Sequence, residues 1–205
     1  MDVEEKQVLA QSVTEWLGLP PRLLRLLSAV HEAGHAIVAH TVDLKVTAAA
    51  VASFDTIGLG GDHISISIAA GQFVPAPDIL AMRAAGFQAS FMWLDGRGID
   101  GNREPYLQAL NTLAAGDLNW CTDFSRTVMG RSPMQQHTVP GAYAILSRRW
   151  RAVLSLAYAL ADRGEMTEAQ LQPFLCCGPQ QQVAAREAYL AWRGETAHLW
   201  TAVAA

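Results

Sequence analysis

Apolar residues recur at three- and four-residue steps through Leu23, Leu24, Leu26, Leu27, Val30, Ala33, Ile37 and Val38, which predicts a helix starting at Pro20-Pro21 and ending near His40. Upstream, Val8, Leu9, Val13, Trp16 and Leu17 fall roughly on one face, so residues 3–17 are expected to form another helix, closed by Gly18-Leu19-Pro20-Pro21. After His40 the period changes. Residues 44–51 are rich in small and β-branched side chains, and His63-Ile64-Ser65-Ile66-Ser67-Ile68 alternates polar with apolar. With Gly58, Gly60 and Gly61 between them, these segments predict a small antiparallel hairpin beside the long helix, with His63 on its polar, surface side. From Pro77 onward the pattern is helical. Helices are expected at about 79–94, 106–115, 117–129, 142–163, 167–175 and 181–200, with 95–105 and 130–140 as loops. The fold class is therefore mainly α with a small antiparallel β hairpin or sheet. Residues 1–205 read as one domain, because no internal repeat or low-complexity linker divides them.

Composition narrows the function classes. Half the residues are hydrophobic, only 17% are charged and the net charge is −4, so a folded core is expected and nucleic acid is not the expected partner. Arg148-Arg149-Arg151 is the densest basic cluster and reads as a solvated helix face. The three cysteines, Cys121, Cys176 and Cys177, make neither a disulfide framework nor a CxxC zinc spacing, which points to a reducing compartment. The charged start Met1-Asp2-Val3-Glu4-Glu5-Lys6 does not resemble a signal peptide, and no apolar run reaches the ~20 residues that span a bilayer, so a soluble, cytoplasmic protein is expected. No GxxxxGK[ST] phosphate loop occurs, so no ATPase engine is recognisable in the chain.

Chemistry concentrates in Val30-His31-Glu32-Ala33-Gly34-His35-Ala36. On a helix His31 and His35 share one face, with Cβ atoms about 5–6 Å apart, as two nitrogens reaching one zinc require. Glu32 sits one position round, the general-base position of HExxH metallopeptidases, within reach of a water on the metal. Gly34 is a misfit in a helix interior, costing about 1 kcal/mol against alanine, and implies that something passes close over that turn. The rival for the whole turn is an ordinary buried helix, but two histidines and a glutamate on an apolar helix are costly to bury without a task.

A catalytic zinc needs a third protein ligand. The extended HExxHxxGxxH form is absent, since Val38 and Thr41 stand where glycine and histidine belong, and no glutamate occurs between Glu32 and Glu104. Two aspartates remain. Asp117 opens a helix after Gly116, where the helix dipole favours a carboxylate, and Asp123 lies six residues on; a plain helix cap is the alternative for Asp117.

The metal helix, Ala29-Val30-His31-Glu32-Ala33-Gly34-His35-Ala36-Ile37-Val38, is similar almost letter for letter to the signature of the M41 peptidase domain of the FtsH family, the ATP-dependent zinc proteases. The likeness continues in register. Val42-Asp43-Leu44-Lys45-Val46-Thr47 resembles the following strand, residues 58–63 occupy the place of the glycine-containing substrate strand, and Ala84-Ala85-Gly86-Phe87-Gln88-Ala89 stands at the glycine-rich helix. Ala114-Ala115-Gly116-Asp117-Leu118 with Phe124-Ser125-Arg126-Thr127-Val128-Met129 resembles the helix that carries the third zinc ligand, and residues 145–171 resemble the helices that end the domain. The resemblance implies a zincin-like fold of the FtsH protease type, Zn²⁺ held by His31, His35 and Asp117 rather than Asp123, and Glu32 as catalytic base. It further implies hydrolysis of peptide bonds in unfolded or flexible polypeptides, with a separate ATPase as a possible partner. The family's ATPase and transmembrane parts have no counterpart here, and Phe91-Met92-Trp93 replaces its acidic pair, so its ring assembly does not carry over and the oligomeric state is left open. The rival function is a non-catalytic zinc-binding interaction or regulatory module derived from such a peptidase. Glu32 discriminates, because a purely structural site has no need of it.

Overall fold

A computed structural model describes residues 17–51, 64–67, 74–100, 104–129 and 135–200. The expected N-terminal helix to residue 16, the glycines at 58–61 and His63 lie outside them. Helix α1 (Pro21–Thr41) is the axis of the molecule. Pro21 at its first position has φ already suited to a helix and lacks an N–H that would go unpaired there anyway. From Ala29 to Ala39 every residue of α1 is buried, which the small and branched side chains of that stretch permit.

Helix α2 (Ala76–Asp95) and the long α5 (Gln135–Arg163) pack against α1 and against each other. Apolar residues occupy most sides of α2, as expected of a helix enclosed by neighbours rather than lying on a surface. Leu27, Ile37, Trp93, Leu94, Ile145, Leu146, Leu156 and Leu160 form the centre of this three-helix core. Helix α3 (Tyr106–Leu113) leads into α4 (Ala115–Met129), which leans on α2 through Leu80 and Cys121, flanked by Trp120 and Phe124. Helices α6 (Glu168–Leu175), α7 (Pro179–Glu195) and α8 (Ala197–Trp200) complete the chain, with α7 packed on α5.

The sheet differs from the expected hairpin by one strand. β1 (Lys45–Ala50) lies between β2 (Ile64–Ser67) and β3 (Glu165–Thr167), antiparallel to both. A bulge between Val46 and Ala48 shifts the β1–β2 register, and Ala49 pairs with Ile64 on one side and Met166 on the other. β3 is three residues long, too short for a period of two to be visible in sequence. It runs directly into α6, whose start is fixed by a capping box between Thr167 and Gln170. Helix α5 also begins earlier than expected, at Gln135 rather than Ala142, with Pro140 inside it. Pro140 is exposed and lies early in the helix, so its missing N–H costs one bond without ending the element. The expected last helix is divided at Thr196 into α7 and α8. Among the described residues no helix is long and apolar enough to cross a membrane.

Candidate metal centre

His31 and His35 project from adjacent turns of α1, and the first turn of α4 brings Asp117 against them. His35 Nε2 and His31 Nε2 are 3.1 Å apart; Asp117 Oδ2 lies 3.1 Å from the former and 3.2 Å from the latter. Three potential ligand atoms thus form a nearly equilateral triangle. Around a tetrahedral zinc with ligands at about 2.0–2.1 Å, the ligand–ligand edge is roughly 3.3 Å, close to what is found here. Asp123, the other aspartate considered, stands elsewhere: it is exposed and pairs with Arg126 on the solvent face of α4.

The far side of each group is held by α2. His35 Nδ1 donates to the carbonyl of Met82 at 2.7 Å, which leaves the Nε2 lone pair for a metal when the ring is neutral. Ser90 Oγ lies 3.5 Å from His31 Nδ1. Arg83 Nη1 donates to Asp117 Oδ1 at 3.0 Å, so the carboxylate presents its other oxygen to the histidines. Gly86 lies between these supports. A Cβ there would stand 2.4 Å from the Nε2 atoms of both histidines, so the absent side chain preserves a space bounded by the imidazoles. Gly34 shows the reciprocal contact: a Cβ would meet the Ala85 carbonyl and the Ala89 methyl at 2.7 Å, which identifies α2 as the element that passes close over the HExxH turn.

Electrostatics also tie the cluster together. Burial alone would lower the pKa of His35, but the Asp117 charge and hydrogen bond, the Glu32 charge and the Met82 carbonyl outweigh it and raise it to about 9. Burial would raise Asp117, yet the His35 charge and the hydrogen bonds from His31 and His35 hold it well below the ordinary carboxylate range. Without a metal, the site therefore keeps a proton where a cation would sit. Glu32 is buried on the same helix. Cys121, one turn after Asp117, is pushed up to about 12 by burial first and the Asp117 charge second.

The donor set fits a divalent cation with nitrogen and oxygen preferences: two imidazoles, one carboxylate oxygen, a tautomer fixed from behind and a gap at Gly86. Sequence reading identified the three converging groups but not their supports. Met82 acts through its main chain, Ser90 and Arg83 are common residue types, and only the four-residue spacing of Met82, Gly86 and Ser90, matching that of the histidines, hints at two helices facing each other. Compared with known proteins, the chain matches no protein-family model and no curated protein.

Proposed function

We propose that the chain is a zinc-dependent metallopeptidase, zincin-like and built in the manner of the M41 peptidase domain of the FtsH family, that cleaves unfolded or flexible polypeptides. The observation that carries the reading is the triangle of His31 Nε2, His35 Nε2 and Asp117 Oδ2, with edges of 3.1–3.2 Å and a glutamate next to the first histidine. His31, His35 and Asp117 would hold a zinc ion, and the chemistry it would supply is Lewis acidity toward the scissile carbonyl and a water whose pKa falls toward ~7. Glu32 accepts the proton released as water attacks the carbonyl carbon and delivers it to the leaving amine. Met82 fixes the tautomer of His35, and Arg83 orients Asp117. Burial of the cluster removes competing solvent and strengthens each of these interactions.

Substrate form follows from the sheet. Among the described residues β1 is paired on both sides, so an extended polypeptide that adds a strand would take the outer edge of β2 or of β3. The sequence offers no phosphate loop, so the substrates in this reading are segments already unfolded, or chains handed over by a separate ATPase in the cytoplasm.

Two measurements test the reading. Purified protein reconstituted with zinc should hold about one ion per chain, and Asp117→Ala should lower that content while Asp123→Ala leaves it unchanged. Glu32→Gln should keep the metal and abolish cleavage of casein. Zinc uptake with no difference between wild type and Glu32→Gln in cleavage would leave a metal-binding module and remove the peptidase.

A further inference from the structure

Both oxygens of Asp117 are engaged, and they face different partners. Oδ2 points at the two imidazoles, while Oδ1 accepts the hydrogen bond from Arg83 Nη1 at 3.0 Å. Arg83 is itself well seated. Its guanidinium lies 4.9 Å from the centre of the Trp120 ring, and that ring stacks on Phe124 with centroids 4.8 Å apart and planes 12° from parallel. Trp120 and Phe124 belong to α4, the helix that carries Asp117, whereas Arg83 belongs to α2. The carboxylate and the group that restrains it are thus fixed across one helix–helix contact.

A carboxylate can offer a cation one oxygen or two. Four-coordinate ions of the zinc type are satisfied by one, whereas ions that prefer octahedral, oxygen-rich surroundings, such as manganese, gain from the second. We propose that Arg83 sets the metal preference of this site by occupying Oδ1 and so limiting Asp117 to one-oxygen coordination. The inference rests on the reading of His31, His35 and Asp117 as metal ligands. The guanidinium charge opposes every divalent cation alike and by itself selects none. Selection comes from the oxygen it withholds. Arg83 is a positioning residue, acting through Asp117 and not on substrate.

The test compares Zn(II), Co(II) and Mn(II) binding to wild type and to Arg83→Met, by competition with a chromophoric chelator and by the visible spectrum of the Co(II) form. Wild type should give the intense d–d absorption of four-coordinate Co(II). In Arg83→Met that absorption should weaken as coordination rises, and the preference for zinc over manganese should narrow ~10–100-fold, the scale of other lost supporting contacts, whereas the lost charge shifts both affinities together. An unchanged spectrum and an unchanged zinc-to-manganese ratio in a folded Arg83→Met would overturn the proposal and leave the functional reading standing. A six- or five-coordinate Co(II) spectrum in wild type would also overturn it, and this outcome needs no variant to fold. Failure of wild type to take up any of the three ions would remove the proposal and the functional reading together.

Discussion

Two glycines set the distance between α1 and α2, and their substitution separates stability from chemistry. A methyl at Gly34 would press on the Ala85 carbonyl and the Ala89 Cβ at 2.7 Å. Neither is the end of a flexible side chain, so the helices must part. Gly34→Ala should cost about 1–3 kcal/mol, the range for overpacked cores, read as a lower denaturation midpoint. A methyl at Gly86 meets instead the Nε2 tips of His31 and His35 at 2.4 Å, side-chain ends rather than backbone, so the displacement falls on the ligand geometry. Gly86→Ala should therefore stay folded, as judged by circular dichroism, while losing metal binding; a variant that still takes up zinc with wild-type affinity would contradict the cradle. The same residues give a pH signature. His35 is raised from an ordinary value of 6.5 to about 9, so its contribution to the metal-free fold is complete below about 6.5 and is lost as pH climbs through about 9. Asp117 is depressed, so its contribution is present at neutral pH and is lost only in acid. A bound cation replaces the His35 proton. Zinc should accordingly raise the melting temperature progressively more between pH 6.5 and 9, and scanning calorimetry with and without metal measures that divergence.

Helix α2 carries the supports of the site, so what anchors α2 matters for everything above it. Near its start, Asp78 is buried and accepts a hydrogen bond from Tyr189 Oη at 2.6 Å, with Arg193 Nη1 at 3.1 Å from Oδ1. Both partners come from α7. Burial raises the Asp78 pKa in spite of the opposing Tyr189 hydrogen bond and Arg193 charge, which marks the carboxylate as dependent on these partners. Tyr189→Phe should destabilise the protein by about 1–3 kcal/mol, the cost of a buried polar group losing a partner, and chemical denaturation would reveal it. Little of this anchoring is legible in sequence, because Asp78 and Tyr189 are 111 positions apart. The elements themselves fared better. α1 is readable because its apolar period is long, and α2 because it is apolar and alanine-rich. β3 is not, being three residues between two helices, and the start of α5 is obscured by Pro140, a residue that usually ends a helix and here does not. His31, His35 and Glu32 are legible because one helical turn holds them, whereas the residues alone leave Asp117 and Asp123 open as the third group, and only the resemblance to the M41 domain selects Asp117. Arg83 acts across a tertiary contact that no local pattern encodes.

At the scale of the whole molecule, the candidate site joins parts with unequal anchorage. α1, α2 and α5 share the main core, while α4 is attached to α2 through Leu80, Cys121 and the flanking Trp120 and Phe124, and to α1 through Asp117 with its two histidines. A cation at the three ligands would therefore cross-link α4 to the core. Binding to the folded state alone stabilises by mass action, and the gain falls on segments whose local opening would break the site. α4 is such a segment: among its described side chains only Cys121 and Ser125 are buried, while Asn119 and Asp123 face solvent. Chelation should consequently speed amide hydrogen exchange in residues 115–129 while exchange in the buried centre of α1, residues 29–39, stays slow. Mass spectrometry of the exchanged peptides distinguishes the cases: uniform acceleration across both helices would mean that the metal supports the core itself, and no change in α4 would mean that Asp117 contributes no ligand.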